Sequence, residues 1–420
     1  FSERPAGSTQ YERRYSNGPL YAAVTGYFSA TTLSTTGMEA AEDAVLEGEG
    51  NVLFWQRMKA LIAGQPRQGG GVVTTIDPAL QETAADLLGS APGAIVALEA
   101  KTGAVRALYS SPSYDPNPLA SLDATVAAEA AKALESDPSR PLDNRAIAGN
   151  RFAPGSTFKI ITTAALLEAG LTPETKVEAP VSTVLPNTDT TISNVGGATC
   201  GDGKPTLTEA FARSCNTAFV IASQDLPEGA LAETAKQFGF EKTFKIPLTV
   251  TPSTFPEDAD AAQRAMSSIG QFEVQATPME MAMVAQAVAN RGKMMEPHMV
   301  EAIVDADNQV RSTTRPREVG QVVKPSVAAD LSAMMLAAVE EPYGSGKAAA
   351  LGNVAVAAKT GTAEVGDGSL TNAWTVAFAP AEDPELVVAV LVEGTEAAPS
   401  PYGGEVAAPM ARTMLEVGLQ

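Results

Sequence analysis

The spacing of apolar and polar residues predicts strands near both ends of this chain and helices between them. Residues 72–76 are β-branched, and two apolar runs, 94–100 and 105–110, flank a short polar turn, as in a hairpin. Residues 374–378 and 385–392 show the same character near the C-terminus. The pattern therefore predicts an α/β (α+β) domain whose sheet is built from the two ends of the chain.

Helical patterns fill the middle of the chain. The best defined is residues 278–289, where Thr277 is the expected N-cap and the apolar side chains, methionines included, are expected to form core. Residues 124–134 are alanine-rich, and another helix is predicted to begin at Asp77-Pro78. A final helix near residues 404–416 would close the sheet. The sequence thus predicts a helical region inserted between the two halves of the sheet.

The first part of the chain has a different character. Residues 1–68 are polar and rich in turn formers, with one amphipathic helix predicted near residues 53–62. The glycines at 69–71, which follow Pro66, are typical of a linker. No apolar run approaches the roughly 18 residues that span a membrane, and the chain opens on Phe1. We therefore expect an ectodomain from which an export segment has been removed.

Composition excludes several function classes. The 420 residues include 29 Lys and Arg against 49 Asp and Glu, a net charge of −20, which argues against nucleic acid or an anionic membrane surface as the main partner. His298 is the one histidine, so a multi-histidine zinc site is excluded, and nothing near it resembles a nucleophile. We expect no metal and no cofactor, and a catalytic base other than histidine.

Two cysteines lie close together in the sequence. A disulfide between Cys200 and Cys215 would close a loop of about 15 residues and contribute about 3 kcal/mol in an oxidising compartment. The alternative is a pair of buried thiols.

Three short motifs carry the candidate chemistry. Ser156 and Lys159 form a Ser-x-x-Lys motif at a predicted helix start, where residues three apart share a face. Alone, this motif is weak, because chance gives about one match in a chain of this length. It is followed by Ser-x-Asn at residues 214–216 and by Lys-Thr-Gly-Thr at 359–362. The three motifs in this order are the signature of β-lactamases and penicillin-binding proteins.

A second Lys-Thr-Gly, at residues 101–103, competes with the later one. It precedes the candidate nucleophile and lies in the predicted hairpin turn, where these residue types are common for structural reasons. Lys359 instead follows an apolar run, so we expect Lys359 to be the functional lysine.

The motifs assign a chemical role to each side chain. The ordinary pKa of a lysine is about 10.4, but burial and a second cation would lower it, and Lys159 could then remove the proton of Ser156. Lys359 would supply the second charge, and Ser214 would pass a proton to the leaving amine. The amide of Asn216 can hold both Lys159 and a substrate amide.

The last motif would bind the substrate. Lys359, Thr360 and Thr362 offer one charge and two hydroxyls to a carboxylate, while Gly361 allows the strand backbone to approach the substrate. The backbone N–H groups of Ser156 and Thr362 are the expected oxyanion donors.

With these motifs the chain resembles the penicillin-binding protein transpeptidases along most of its length. The segments that carry the resemblance, beside the three motifs, are Thr74-Thr75-Ile76-Asp77, Leu80-Gln81, Ser110 through Asn117, Asn144-Arg145-Ala146, Gly270-Gln271, Ala276-Thr277-Pro278, Phe378-Ala379-Pro380 and Gly403-Gly404. The middle residue of the Ser-x-Asn motif is cysteine, whereas many β-lactamases have aspartate there.

The resemblance implies a penicillin-binding transpeptidase or serine β-lactamase-like fold, in which helices flank an antiparallel sheet beside a helical subdomain. The transpeptidase domain would span residues 72–420, and residues 1–71 would form a small pedestal or dimerisation-like domain with its linker. Because this first part is too short for a glycosyltransferase, the chain resembles the monofunctional class B group. Residues 21–50 most resemble the penicillin-binding protein A type of actinobacteria.

The same resemblance implies a function. Ser156 would attack the D-Ala-D-Ala bond of a peptidoglycan stem peptide and pass the acyl group to an amine on a second strand, and β-lactams would acylate the same serine. Members of the family act on the outer face of the cell membrane through an N-terminal anchor. They often work with a glycosyltransferase of the RodA or FtsW type.

Three alternatives fit the same motifs. A β-lactamase would need a deacylating base, and Glu273 is a poor candidate because it lies in the structural Gly-Gln segment. A D,D-carboxypeptidase would release D-alanine without an acceptor amine. A non-catalytic sensor or scaffold would bind β-lactams or wall fragments only.

Overall fold

The computed structural model describes residues 1–5, 9–64, 68–149, 151–366 and 368–420. Its strands are β1 (Ser2–Glu3), β2 (Glu12–Arg13), β3 (Phe28–Ser29), β4 (Ser34–Thr35), β5 (Gly71–Thr74), β6 (Gly93–Glu99), β7 (Val105–Ser111), β8 (Ser182–Val184), β9 (Thr191–Ser193), β10 (Phe244–Lys245), β11 (Thr249–Val250), β12 (Lys293–Met295), β13 (Val300–Val304), β14 (Val310–Thr313), β15 (Glu318–Gln321), β16 (Ala357–Val365), β17 (Leu370–Ala379) and β18 (Leu386–Val392).

The helices lie mainly between β7 and β16 and at the chain ends. They are α1 (Gly18–Thr25), α2 (Gly37–Ala41), α3 (Asp43–Leu46), α4 (Phe54–Ala63), α5 (Pro78–Leu88), α6 (Ala124–Ser136), α7 (Lys159–Glu168), α8 (Leu207–Arg213), α9 (Asn216–Ala222), α10 (Ala230–Gln237), α11 (Ala261–Ser267), α12 (Pro278–Ala289), α13 (Pro325–Glu340) and α14 (Ala408–Gly418). Short 3₁₀ turns at Gly155–Phe158 and Lys347–Ala349 and a π-helical turn at Gly403–Ala407 adjoin the site described below.

Five antiparallel strands form the central sheet in the order β16-β17-β18-β6-β7. Every residue of β18 is buried, because both faces of the sheet are covered. Val387 and Leu391 face the larger core, whereas Val388 and Val390 face a second core on the opposite side. The prediction of a sheet built from both chain ends is confirmed, because β6 pairs with β18 and β7 pairs with β6.

Different helices cover the two faces. Helices α5 and α14 pack on one face, where Leu80, Leu88 and Met414 are buried among the side chains of the second core. Helix α12 covers the other face, and each of its residues is buried. Its predicted limits and N-cap are confirmed, because the side chain of Thr277 accepts a hydrogen bond from the backbone N–H of Glu280.

The N-terminal region packs directly on the sheet-bearing part of the molecule. The buried amide of Gln81 donates hydrogen bonds to the carbonyl oxygens of Leu20 and Leu108, at 3.0 and 2.9 Å, and so joins α1, α5 and β7. Asn117 accepts from the backbone N–H of Tyr15 and donates to its carbonyl oxygen, both at 3.0 Å. These bonds fix the first helix against the edge strand β7.

The interpretation of residues 69–71 as a linker is wrong. Gly71 is the first residue of β5, which pairs with β13. Gly70 donates its backbone N–H to the carbonyl oxygen of Val45 at 2.9 Å, and a Cβ at Gly69 would lie 1.9 Å from the carbonyl oxygen of Leu46. The glycines are required here for close packing rather than for freedom of the chain. Pro66 lies outside the described residues.

Candidate active site

Ser156 lies in a 3₁₀ turn, Gly155–Phe158, that leads directly into α7. The sequence predicts the first turn of a helix at this place, and the structure tightens that turn to 3₁₀ geometry. Gly155 has a φ of +52°, and a Cβ there would lie 2.9 Å from the carbonyl oxygen of Thr362. Glycine is therefore required for the turn to lie against β16.

Lys159 is the first residue of α7, and its side chain is fully buried. Its Nζ donates hydrogen bonds of 2.8 Å to the carbonyl oxygen of Ser214 and to Oδ1 of Asn216. Nζ also lies 5.3 Å from the ring centre of Phe219. Lys159 thus joins the Ser-x-x-Lys motif to the Ser-x-Asn motif.

Burial shifts the protonation of Lys159. Removal of the ammonium from water lowers its pKa well below the ordinary value, and the charge of the neighbouring Lys359 lowers it further. The neutral amine has two N–H groups and one lone pair. Because Ser214 and Asn216 accept two hydrogen bonds, the lone pair remains to accept a proton.

The Ser-x-Asn motif occupies the junction between α8 and α9. Ser214 adopts the left-handed conformation, with φ 62°, that ends α8, and Asn216 begins α9. Between them, Cys215 is disulfide-bonded to Cys200, with Cα atoms 6.0 Å apart. The disulfide holds an unusual backbone turn at the point where Ser214 and Asn216 diverge.

Lys359 reaches the same junction from β16. Its Nζ donates hydrogen bonds of 2.8 Å to Oγ of Ser214 and 2.9 Å to the carbonyl oxygen of Thr360. It lies 5.6 Å from the ring centre of Phe211. Burial lowers the pKa of Lys359 to about 7. Both lysines therefore converge on Ser214, one through its backbone and the other through its hydroxyl.

Strand β16 is an edge strand of the sheet, and it packs closely against the turn that carries Ser156. A Cβ at Gly361 would lie 2.9 Å from the carbonyl oxygen of Pro154 and 3.1 Å from the backbone nitrogen of Thr157. Gly361 thus permits the approach of β16 to the serine turn. Close approach to a substrate, which the sequence suggested, stays a prediction.

The three motifs line one cavity of about 580 Å³. Its walls are formed by Ser156, Val195, Arg213, Ser214, Asn216, Gly344, Ser345, Lys347, Ala348, Thr360, Gly361, Thr362, Tyr402, Gly404 and Glu405. The two buried lysines lie behind this wall. The structure therefore brings the predicted site residues together around one opening.

The earlier Lys-Thr-Gly lies elsewhere in the fold. It forms the turn between β6 and β7, where Gly103 has a φ of +76° and the exposed Lys101 pairs with Asp383 at 2.8 Å. The motif is therefore a hairpin turn.

Other residues of the site carry little sequence signal. Phe211 and Phe219 flank the lysines, and Ser345 contacts Thr360 at 3.0 Å. These contacts join segments far apart in the chain, so local patterns do not announce them. For Ser345, the one hint is a polar residue between two glycines shortly before the Lys-Thr-Gly strand.

Comparison with known protein families identifies the family to which this architecture belongs. The family described as "Penicillin binding protein transpeptidase domain" matches residues 93–416, and the one described as "Penicillin binding protein A dimerisation domain" matches residues 1–72. The chain belongs to the penicillin-binding protein transpeptidases, and its fold is that of this family, as the motifs suggested.

Within this family, the chain is similar to transpeptidases of one type. The chain is 44% identical to the peptidoglycan D,D-transpeptidase PbpA of Mycolicibacterium smegmatis and 41% identical to that of Mycobacterium tuberculosis, over 100% of this chain and 87% of each relative. The ceftriaxone acyl-enzyme of M. tuberculosis penicillin-binding protein A superposes with a TM-score of 0.93 at 40% identity, over 100% of this chain and 96% of that one. The penicillin G acyl-enzyme gives 0.93 at 41% identity, over 100% and 97%.

These similarities confirm the enzyme class as serine D,D-transpeptidase and favour it over the carboxypeptidase, β-lactamase and scaffold alternatives. Across the part of the chain that the structure describes, no helix has the length and apolar character needed to cross a lipid bilayer.

Proposed function

We propose that Ser156 is the nucleophile of a peptidoglycan D,D-transpeptidase that cross-links stem peptides through an acyl-enzyme. The observation that carries the proposal is the convergence of two buried lysines on Ser214, at the wall of the cavity that Ser156 lines. A buried lysine with a lowered pKa is a suitable base at neutral pH.

The first half of the reaction breaks the D-Ala-D-Ala bond. Neutral Lys159 takes the proton of Ser156, whose Oγ attacks the carbonyl carbon of the penultimate D-alanine. The backbone N–H groups of Ser156 and Thr362 donate to the oxyanion. Ser214 then passes its proton to the departing D-alanine amine and takes one in return from Lys359, which donates to its Oγ, so the proton that Lys359 gives up balances the one that Lys159 has taken. The hydroxyl of Ser214 is suited to this role because it accepts from Lys359 and keeps its own hydrogen for donation.

The second half transfers the acyl group. An amine of a second stem peptide attacks the ester of Ser156 and loses a proton along the same route in reverse. The product is a new amide, and Ser156 regains its hydrogen. β-Lactams would stop the cycle at the acyl-enzyme, because the amine released when the ring opens stays attached to the acyl group and does not diffuse away.

Substrate binding rests on β16 and Asn216. The hydroxyls of Thr360 and Thr362, with the charge of Lys359 buried behind them, provide a donor-rich surface for the terminal carboxylate of the peptide. Gly361 keeps the strand backbone accessible beside it. The amide of Asn216 bonds Lys159 through Oδ1 and the carbonyl oxygen of Ser193 through Nδ2 at 3.1 Å, which supports a role in orienting the base.

The wider setting follows from the same proposal. Residues 72–420 act as the transpeptidase domain and residues 1–71 as a pedestal, a division that the two family matches support. The disulfide at Cys215 fits an oxidising compartment, and hence the outer face of the cell membrane. A glycosyltransferase of the RodA or FtsW type is the partner proposed to supply glycan strands.

Intact mass spectrometry with penicillin G, followed by peptide mapping, tests the nucleophile. We expect one adduct on Ser156 that persists for many minutes; clearance within seconds would favour a β-lactamase. A stem peptide ending in D-Ala-D-Ala, given with an acceptor amine, should yield D-alanine and a cross-linked product. D-alanine without that product would indicate a carboxypeptidase, and neither product would indicate a scaffold.

A further inference from the structure

Ser345 lies in the turn between α13 and the 3₁₀ turn Lys347–Ala349, half-buried in the wall of the active-site cavity. Its Oγ accepts a hydrogen bond of 3.0 Å from the hydroxyl of Thr360. Thr360 is one of the two threonines proposed to bind the substrate carboxylate. The side chain of Ser345 therefore contacts the carboxylate-binding hydroxyl directly.

The two threonines differ in how their hydroxyls are used. Oγ1 of Thr362 accepts from the backbone N–H of Gly403 at 3.2 Å, so its hydrogen is available to an anion. Thr360 instead donates its hydrogen to Ser345. A carboxylate accepts hydrogen bonds only, so it can be bound by both threonines only if the hydrogen of Thr360 turns toward it.

Reorientation of the two hydroxyl groups would free the hydrogen of Thr360 for the anion. Hydroxyl groups rotate freely and can donate or accept, so Ser345 can supply its own hydrogen to Thr360 when Thr360 donates to the anion. Such a chain of hydroxyls strengthens the terminal donor, because each hydrogen bond polarises the next.

The backbone of Ser345 is fixed independently of its hydroxyl. Its N–H donates to the carbonyl oxygen of Ala212 at 2.9 Å, two residues before Ser214. Ser214 is bonded to Lys359, and Lys359 precedes Thr360 in β16. Ser345 thus completes a closed ring of contacts between the two halves of the site, and removal of its Oγ leaves the backbone part of that ring in place.

We propose that Ser345 is a positioning residue for carboxylate recognition: its hydroxyl holds Thr360 in place and switches from acceptor to donor when an anionic substrate or β-lactam binds. This role rests on the proposed function of the site. Ser345 does not contact the reacting atoms and acts through Thr360 alone.

Acylation rates of Ser345→Ala with two ligands test the role. Penicillin G carries the carboxylate, whereas its methyl ester presents the same reactive ring without the negative charge. We expect the second-order rate constant for penicillin G to fall about five- to tenfold, with the rate constant for the ester changed less than twofold. Ser345→Thr should restore the rate with penicillin G, because it restores a hydroxyl.

Two controls separate this role from a general disturbance. Ser267→Ala removes a buried hydroxyl that bonds to the carbonyl oxygen of Gln263 within α11, and it should leave both rates unchanged. In a Thr360→Val background, Ser345→Ala should have no further effect, because the residue on which it acts is gone.

Equal losses with both ligands, or no loss with penicillin G, would overturn the role of Ser345. The same would follow if Ser345→Ala still lowered the rate in the Thr360→Val background. If the parent protein formed no adduct on Ser156, the proposed function would fail, and this role with it.

Discussion

The ammonium group of Lys359 lies 2.8 Å from the hydroxyl oxygen of Ser214, although the two residues are 145 positions apart. The carbonyl oxygen of the same serine accepts a hydrogen bond from Lys159 at 2.8 Å. Ser214 therefore lies between two buried lysines and bonds to both. Burial lowers the pKa of Lys159, and the nearby charge of Lys359 lowers it further.

Replacement of Lys159 by alanine should abolish the base. We expect Lys159→Ala to slow acylation of Ser156 by penicillin G about a thousandfold, within the range found for a positioned general base. The measurement is the rate of adduct formation by intact mass spectrometry. Lys101→Ala, in the exposed hairpin turn, is the matched control and should react at the parent rate. Retained acylation in Lys159→Ala would count against Lys159 as the base.

The pH dependence of acylation should show the titration of Lys359. Its pKa is lowered to about 7 by burial, so its positive form is lost as pH rises through this value. Because that charge is proposed to attract the carboxylate, the second-order rate constant for penicillin G should decline above about pH 7. Lys359→Arg should shift the decline to higher pH, because a guanidinium stays protonated. An identical decline in the arginine variant would exclude Lys359 as its source.

Gly361 should tolerate no side chain. A Cβ there would lie 2.9 Å from the carbonyl oxygen of Pro154. Gly361→Ala should therefore push β16 away from the serine turn and reduce acylation at least tenfold, with a lower melting temperature. Gly352→Ala is the control, since a Cβ at Gly352 has no atom within 4 Å. Parent-like kinetics in Gly361→Ala would show that the strand does not depend on this close approach.

The disulfide should support both stability and reactivity. It closes a loop between positions 15 residues apart, for which the chain-entropy estimate is about 3 kcal/mol. The double variant Cys200→Ser with Cys215→Ser should melt at a lower temperature and acylate more slowly, because Cys215 lies between Ser214 and Asn216. Denaturant unfolding and adduct kinetics measure the two effects. Unchanged acylation would separate the disulfide from the positioning of Ser214.

Glu280 should make the free energy of unfolding depend on pH. Burial raises the pKa of its carboxyl to about 8 from an ordinary 4.5, although the charge of Lys242 opposes the shift. Between these values the unfolded chain releases the proton and the folded protein keeps it, so stability should fall as pH rises from about 4.5 to 8. Glu280→Gln should flatten this fall. If the melting temperatures of the parent and of the variant changed with pH in the same way from pH 5 to 8, the prediction would be wrong.

The sequence predicts those parts of the site whose residues form a recognisable pattern along the chain. It does not predict contacts that form only when distant segments meet. The three motifs predicted Ser156, Lys159 and Lys359, because their residue types and order are characteristic of one chemistry. Periodicity likewise predicted α12, whose apolar residues and N-cap lie next to one another in the chain. Ser345 gave no comparable signal, because its contact with Thr360 exists only after α13 has turned the chain back onto β16.

The glycines at 69–71 are a second case in which the sequence alone does not determine the structure. Three consecutive glycines at 69–71 are typical of a flexible linker, yet they pack against Leu46 and Val304. A missing side chain permits both free rotation and close contact, and the sequence does not distinguish the two. The partner atoms that decide between them come from distant parts of the chain.

The bonds from Gln81 to Leu20 and Leu108 have a mechanical consequence. Tension applied to the first residues of the chain would pass through α1 into strand β7, since the glycines that follow are packed rather than slack. The first segment of the chain and the catalytic sheet should therefore tilt together as one rigid unit.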